Sequence, residues 1–117
     1  MTISVAIIGA GFAGIGAAIE RHPRFPERTN VGFMQIVDGG TMRLRVFERG
    51  VGETEACGSG ACAAVVSARR LGLVDEHVAV ELPGGRVEVD WAGDSEPVYL
   101  TGDSVHVFDG QIEVPQS

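Results

Sequence analysis

An α+β fold is predicted, with a strongly curved mixed or antiparallel sheet wrapped around one central helix. Three observations lead there. Short β-prone runs recur along the chain, separated by Gly- and Pro-rich turns. One stretch, residues 61–71, has helical character and is apolar nearly all round, which suits a buried helix. The chain has 117 residues, enough for one small domain with a real core and too few for two.

Taken in order, residues 4–8 form a β-branched run that ends in the glycine-rich GAGFAG, followed by an Ala/Ile-rich helical pattern to about residue 21. Pro23 and Pro26 end that pattern. Residues 30–38 (NVGFMQIVD) read as a strand, Gly39 and Gly40 as a turn, and residues 41–47 (TMRLRVF) as the returning strand of a hairpin. Met42, Leu44 and Val46 share one face of it. Next comes a loop, ERGVGETEACGSG, and then the helix over 61–71. Arg69 and Arg70 sit in its last turn, where cations favour the dipole, and Gly72 can end it. Strands are expected over 77–82 and 86–91 around a PGG turn, then over 98–101, 104–108 and 111–114, with a tail at 115–117.

Composition narrows the functional classes. The net charge of −7, without a basic run, is unsuited to nucleic acid or an anionic membrane. The apolar stretch 5–18 lacks a basic flank and is too short and Gly-rich to span a bilayer, so neither a membrane segment nor a secretory signal is expected. Two cysteines, Cys57 and Cys62, make no disulfide framework, which fits a reduced, cytoplasmic setting. His22, His77 and His106 are far apart and show no metal-ligand spacing, so they read as structural or surface residues. All nine basic side chains are arginine. This chain therefore cannot supply the Schiff-base lysine of a pyridoxal-phosphate enzyme.

Residues 48–63, ERGVGETEACGSGACA, are the most informative stretch. A cysteine in a Gly/Ser loop directly before a helix faces successive backbone N–H groups and the positive end of the helix dipole. That field favours a thiolate at Cys57, and Gly58 and Ser59 can turn their N–H groups towards a carboxylate. The alternative for Cys57 is a small buried hydrophobe. Packing is the preferred reading for Cys62, inside the apolar helix.

The run ERGVGETEACGSGACAA resembles the second catalytic-cysteine loop of the diaminopimelate epimerase family. ERHPRFPERTNVGFMQIVD is similar to that family's lead-in, and LPGGRVEVDW and VYLTGDSVHVFDGQI resemble its closing strands. The likeness covers residues 19–114. It implies one half of a two-domain fold, with the active site between the halves. It also implies cofactor-independent interconversion of LL- and meso-diaminopimelate, on the route to lysine, by two cysteine acid/bases on opposite faces of the α-carbon. On this resemblance Cys57 is one of those acid/bases and Glu48 assists its proton handling. Asn30, Glu48, Arg49, Gly58 and Ser59 contact substrate. Read without it, Glu48 and Arg49 are solvated charges at a strand end, and Asn30 simply opens a strand. Proline racemases and phenazine-biosynthesis isomerases are less similar around Cys57.

The first half's own cysteine loop is absent from these residues, and Cys62, expected on the same helix as Cys57, cannot replace it. A fragment, a replaced first half, or a partner chain that supplies it are the options. The partner would be a homodimer mate or a complementing first-half domain. Residues 1–18 (MTISVAIIGAGFAGIGAA) instead resemble the opening of a dinucleotide-binding flavoprotein, with Gly9, Gly11 and Gly14 as fingerprint glycines and Asp38 imitating its acidic residue. That fold needs several parallel βαβ units, and the remaining strands look meander-like. The expectation is therefore a foreign or replaced segment over 1–18, an epimerase C-terminal domain over 19–114, and no cofactor or metal. A weakly active or inactive isolated chain is expected. The alternatives are a non-catalytic carboxylate-binding half-domain and a dinucleotide-binding oxidoreductase fragment.

Overall fold

The computed structural model describes residues 4–8 (backbone only), 19, 21–27 and 29–116. Gly9, Gly11, Gly14 and most of the helix expected beside them lie outside the described residues.

The β2–β3 hairpin is the centre of the sheet. Strand β2 (Asn30–Asp38) reverses through Gly39 and Gly40 into β3 (Thr41–Glu48). The Asp38 carboxylate accepts the Gly40 N–H at 2.8 Å, a local bond that closes the turn. The ladder pairs Met34 with Leu44 and Ile36 with Met42, then shifts register before Asp38. Met42, Leu44 and Val46 are buried on one face, as their alternation predicts. Arg43 and Arg45 point to the other, towards Glu81 (3.2 Å) and Glu53 (2.6 Å).

Strand β1 (Ser4–Ile8) runs parallel to β2, with Ser4 opposite Asn30 and Ile8 opposite Met34. The segment expected to be foreign or replaced thus contributes an edge strand. After this parallel step the sheet reverses at the β2–β3 hairpin, and Asp38 caps the turn.

Strand β4 (Gly52–Thr54) lies inside what the sequence reads as loop. It is short, and its glycines hide the alternation. Gly50 and Gly52 have φ of +75° and +98°, so they turn the chain back sharply, and Thr54 pairs with Val46 and Glu53 with Phe47. Arg45 forks onto Glu53 (Nε–Oε1 2.6 Å, Nη2–Oε2 2.9 Å) and holds that carboxyl below its usual range.

Helix α1 (Gly58–Arg70) begins three residues before the predicted start. The expectation of residue 61 followed helix propensity, and Gly58, Ser59 and Gly60 are poor formers. Capping by Cys57 and tertiary packing outweigh them. Ala61, Ala64, Val65 and Ala68 form the buried stripe at i, i+3, i+4 and i+7. Three of the four are alanine, so the helix axis lies close to the sheet. The helix ends at a Schellman motif: Gly72 (φ +73°) donates to Arg69 O at 2.9 Å and Leu73 to Ala68 O at 3.0 Å.

From there the chain returns beneath the hairpin. Asp75 N–H bonds Gly39 O at 2.7 Å, and Ala79 N–H bonds Gly40 O at 2.8 Å. Strand β5 (His77–Leu82) then runs parallel to β3, Met42 opposite Val80, so α1 is the crossover that parallel pairing requires. β6 (Gly85–Asp90) and β7 (Tyr99–Thr101) add antiparallel strands. The result is one open mixed sheet in the order β1-β2-β3-β5-β6-β7, with β4 beside β3, and one helix packed on it among the described residues. The α+β class is the predicted one. Met34, Met42, Leu44, Val46, Val65, Val78, Val80 and Val89 make the core between helix and sheet.

The strands expected over 104–108 and 111–114 do not form, and no strand follows Thr101 among the described residues. Val105, Val107, Phe108, Ile112 and Val114 are all exposed. Alternation supplies strand tendency, but a strand exists only when its N–H and C=O groups meet a ladder, and here no ladder reaches them.

Two predictions follow from this packing. Leu44→Ala should lower unfolding stability by about 2–5 kcal/mol, read by urea titration, because Leu44 is almost fully enclosed. At the start of β5, His77 contacts Asp90 (2.5 Å) and Glu88 (3.6 Å), with Arg86 nearby opposing them. The hydrogen bond to Asp90 raises the imidazole above its ordinary value. A raised folded-state value makes the contribution complete below the unfolded value, about 6.5, and lost as pH climbs through the folded one. His77→Gln should therefore destabilise the protein near pH 6 and be neutral near pH 9 in parallel denaturation curves.

Candidate active site

Cys57 sits where the loop becomes helix. It is the N-cap, with extended backbone (φ −150°, ψ 102°), and its Sγ accepts the Gly60 N–H at 3.3 Å. The Ser59 hydroxyl lies 3.6 Å from the sulfur. Sulfur thus takes the place of the usual Ser, Asp or Asn oxygen, and helix N–H groups and dipole converge on it. Gly60 donates to sulfur and Ala61 to Cys57 O (3.0 Å), which leaves the first-turn N–H groups of Gly58 and Ser59 without intrahelical acceptors.

The sulfur also touches the core. Cys57 is only 9% exposed and belongs to the main hydrophobic cluster. A Cβ at residue 60 would lie 3.1 Å from both Cys57 Sγ and Val46 Cγ2, which locates the sulfur over the end of β3 and explains the glycine. Cys57 therefore has one apolar side and one polar side.

Two neighbours hold this loop. Gly84 in the β5–β6 turn donates to Glu55 O at 2.8 Å, and a Cβ at residue 84 would meet that oxygen at 3.0 Å. Leu100 on β7 covers Gly58, its Cδ2 2.8 Å from where a Cβ would stand. Beside them a hollow of about 270 Å³ is lined by Ala56, Gly84, Gly85, Arg86, Gly102 and Asp103 among others. It starts one residue before Cys57, which does not line it.

Glu48 ends β3 on the same face as Val46, and its Oε1 accepts the Thr54 hydroxyl at 2.8 Å. Asn30, at the start of β2, takes the Arg49 backbone N–H on its Oδ1 at 2.6 Å. The Arg49 guanidinium donates to Glu27 O at 3.3 Å, and the residue is exposed. Asn30, Glu48 and Arg49 are therefore gathered at one end of the central hairpin. Val46 links that end to Cys57. Cys62 is partly buried against the core, and burial, then the neighbouring Cys57, pushes its thiol above the ordinary range. The described residues contain no cluster of His, Cys, Asp and Glu suited to a metal.

A family model described as diaminopimelate epimerase matches residues 8–107. The chain belongs to the diaminopimelate epimerase family. It is 61% identical over 106 residues to a diaminopimelate epimerase of Thioalkalivibrio sulfidiphilus, covering 90% of this chain and 38% of that one. It is 58% identical over 100 residues to a diaminopimelate epimerase of Stutzerimonas stutzeri, covering 86% and 36%. The chain thus spans a little over a third of the length of these relatives. Among solved structures, a phenazine biosynthesis protein of the PhzF family from Bacillus anthracis superposes with a TM-score of 0.57. It is 17% identical, over 81% of this chain and 33% of that one. A PhzF-family protein from Enterococcus faecalis gives 0.58 at 16% identity, over 75% and 32%. At those identities the likeness is one of fold alone.

Thr54, Gly84 and Leu100 escape a reading of the sequence. Thr54 reaches Glu48 only because β4 folds back on β3, and Gly84, in the β5–β6 turn, and Leu100, on β7, lie 27 and 43 residues beyond Cys57. The period-2 placement of Gly52 and Thr54 was the one available signal. The contrast between two glycines is testable. Gly84→Ala forces a methyl against backbone at Glu55 and should cost about 1–3 kcal/mol, measured by thermal melting. Gly58→Ala meets only the tip of Leu100, which can swing aside, and should cost less.

Proposed function

We propose that this chain carries one cysteine acid/base and the α-carboxylate site of a diaminopimelate epimerase. It would act without a cofactor in the interconversion of LL- and meso-diaminopimelate, in the cytoplasm, on the route to lysine. The observation that carries this reading is Cys57 as the cap of α1, its sulfur held by the Gly60 N–H beside the unpaired N–H groups of Gly58 and Ser59.

The chemistry follows from that placement. The α-proton of an amino acid is weakly acidic, so removing it needs a base close by and a place for the developing charge. A thiolate at the helix N-terminus serves as the base. The Gly58 and Ser59 N–H groups take the substrate carboxylate, whose charge grows as the carbanion forms, and donors already aimed there need no reorganisation. Arg49, exposed at the same end of the sheet, can fork onto a second carboxylate. Asn30, its Oδ1 already holding Arg49 N–H, would offer its NH2 group to the ligand. Glu48 would steer the Cys57 proton.

Inversion needs a second base on the opposite face of the α-carbon. Cys62 is one and a half turns along the same helix and packs towards the core. The second thiol would come from a complementing half, either in a longer chain or in a partner, and residues 19–114 would be the half that carries Cys57. On its own this chain should exchange the α-proton with little or no inversion. No described helix is long and apolar enough to cross a membrane.

Incubation with LL- or meso-diaminopimelate in D2O, followed by NMR, provides the test. Deuterium should enter at one α-carbon, Cys57→Ser should slow entry by at least about 100-fold, and Cys62→Ala should leave it unchanged. An aziridine analogue of diaminopimelate should label Cys57. No exchange together with no labelling would reduce Cys57 to a packing residue, which its contact with the core would equally suit.

A further inference from the structure

We propose that Thr54 is a positioning residue: its hydroxyl fixes the Glu48 carboxylate relative to Cys57. This rests on the reading of Cys57 as a proton-transfer group and adds a residue to that site.

The geometry points to it in three steps. First, Thr54 faces Val46 across the β3–β4 ladder, and Val46 is the residue whose Cγ2 shares with Cys57 Sγ the space over Gly60. Second, Glu48 follows Val46 by two positions on the same strand, so Val46, Glu48 and Thr54 share the face that carries the helix N-terminus. Third, the part-buried Thr54 Oγ1 stands 2.8 Å from Glu48 Oε1 and donates to it, since an ionised carboxylate only accepts. Glu53, the neighbour of Thr54 on β4, points to the opposite face and is engaged by Arg45. The two carboxylates of this corner are thereby sorted, one to an arginine on the outer face and one to a hydroxyl on the inner face.

A glutamate at a strand end has three side-chain torsions and no reason to hold one of them. Threonine is stiff at χ1, so its hydroxyl is a donor of defined direction. With Oε1 engaged, Oε2 is the oxygen left to act on the thiol. The β4 hairpin, closed by its tight glycine turn at residues 50–52, is the device that delivers this donor.

The experiment reads the thiol directly and uses the full chain in a Cys62→Ala background, so that Cys57 is the one thiol. The rate of iodoacetamide alkylation is followed from pH 5 to 10, the thiolate displacing iodide. Glu48→Gln should change the rate near pH 8 by about threefold or more and move the profile's midpoint. Thr54→Val, which keeps the shape and removes the hydroxyl, should move it in the same direction. Thr54→Ser should restore it, and Glu48→Gln with Thr54→Val should do no more than Glu48→Gln alone. Should Thr54→Val not fold, Thr54→Ala takes its place against Thr54→Ser. A midpoint that moves with Glu48→Gln but not with loss of the hydroxyl overturns the role of Thr54 and leaves the proposed function intact. Additive effects in the double variant overturn it too. If Cys57 alkylates with the pH dependence of the urea-unfolded chain, the reading of Cys57 itself fails.

Discussion

The parallel pairing of β3 with β5 is the constraint on which the site depends. Two parallel neighbours cannot be joined by a tight turn, so the chain between them must cross the sheet, and the crossing is α1. The alanine-rich stripe lets that helix settle close to β3, and its N-terminus comes down over Val46 and the strand end beyond it. The positive end of a helix dipole is thereby brought beside Val46, two residues before Glu48 on the same face of β3. Nothing in the loop itself could aim it there.

Around that point the loop is held by interactions of different kinds. The sulfur accepts a helix N–H, so the candidate catalytic atom is also a structural cap. The β5–β6 turn clamps Glu55 through a glycine that leaves no space for a side chain. The Leu100 side chain rests on Gly58. Such sharing of capping, packing and chemistry explains how a cysteine can be 9% exposed and still present a polar side. It also ties the fold's stability to the site's geometry, because loosening the loop releases both.

Much of this was legible in advance. The hairpin at Gly39 and Gly40, the alternation of Met42, Leu44 and Val46, the role of Gly72 and the strands on either side of the PGG turn all follow from local rules and all form. The grouping of Asn30 with Arg49 was suggested by resemblance to a family, since 19 residues separate them. Strand β4 is hidden in the sequence because two glycines obscure its period, and the helix reads as starting late because Gly-Ser-Gly has loop character until Cys57 caps it. Residues 104–114 went the other way. Their alternation is clear, but their partner groups are not among the described strands, and pairing is a property of two segments.

By itself the sequence determined what is periodic or local: the α+β class, the hairpin turns, the helix stop, the want of a Schiff-base lysine, and a cysteine placed before a helix. Only the tertiary structure decided which strand lies beside which, that the Thr54 hydroxyl meets Glu48, and that Gly84 and Leu100 close upon the cysteine loop. The physical reason is reach. Hydrogen-bond periodicity and backbone torsions act over a few residues and are written in composition, whereas contacts across tens of residues form only once the core has chosen a register.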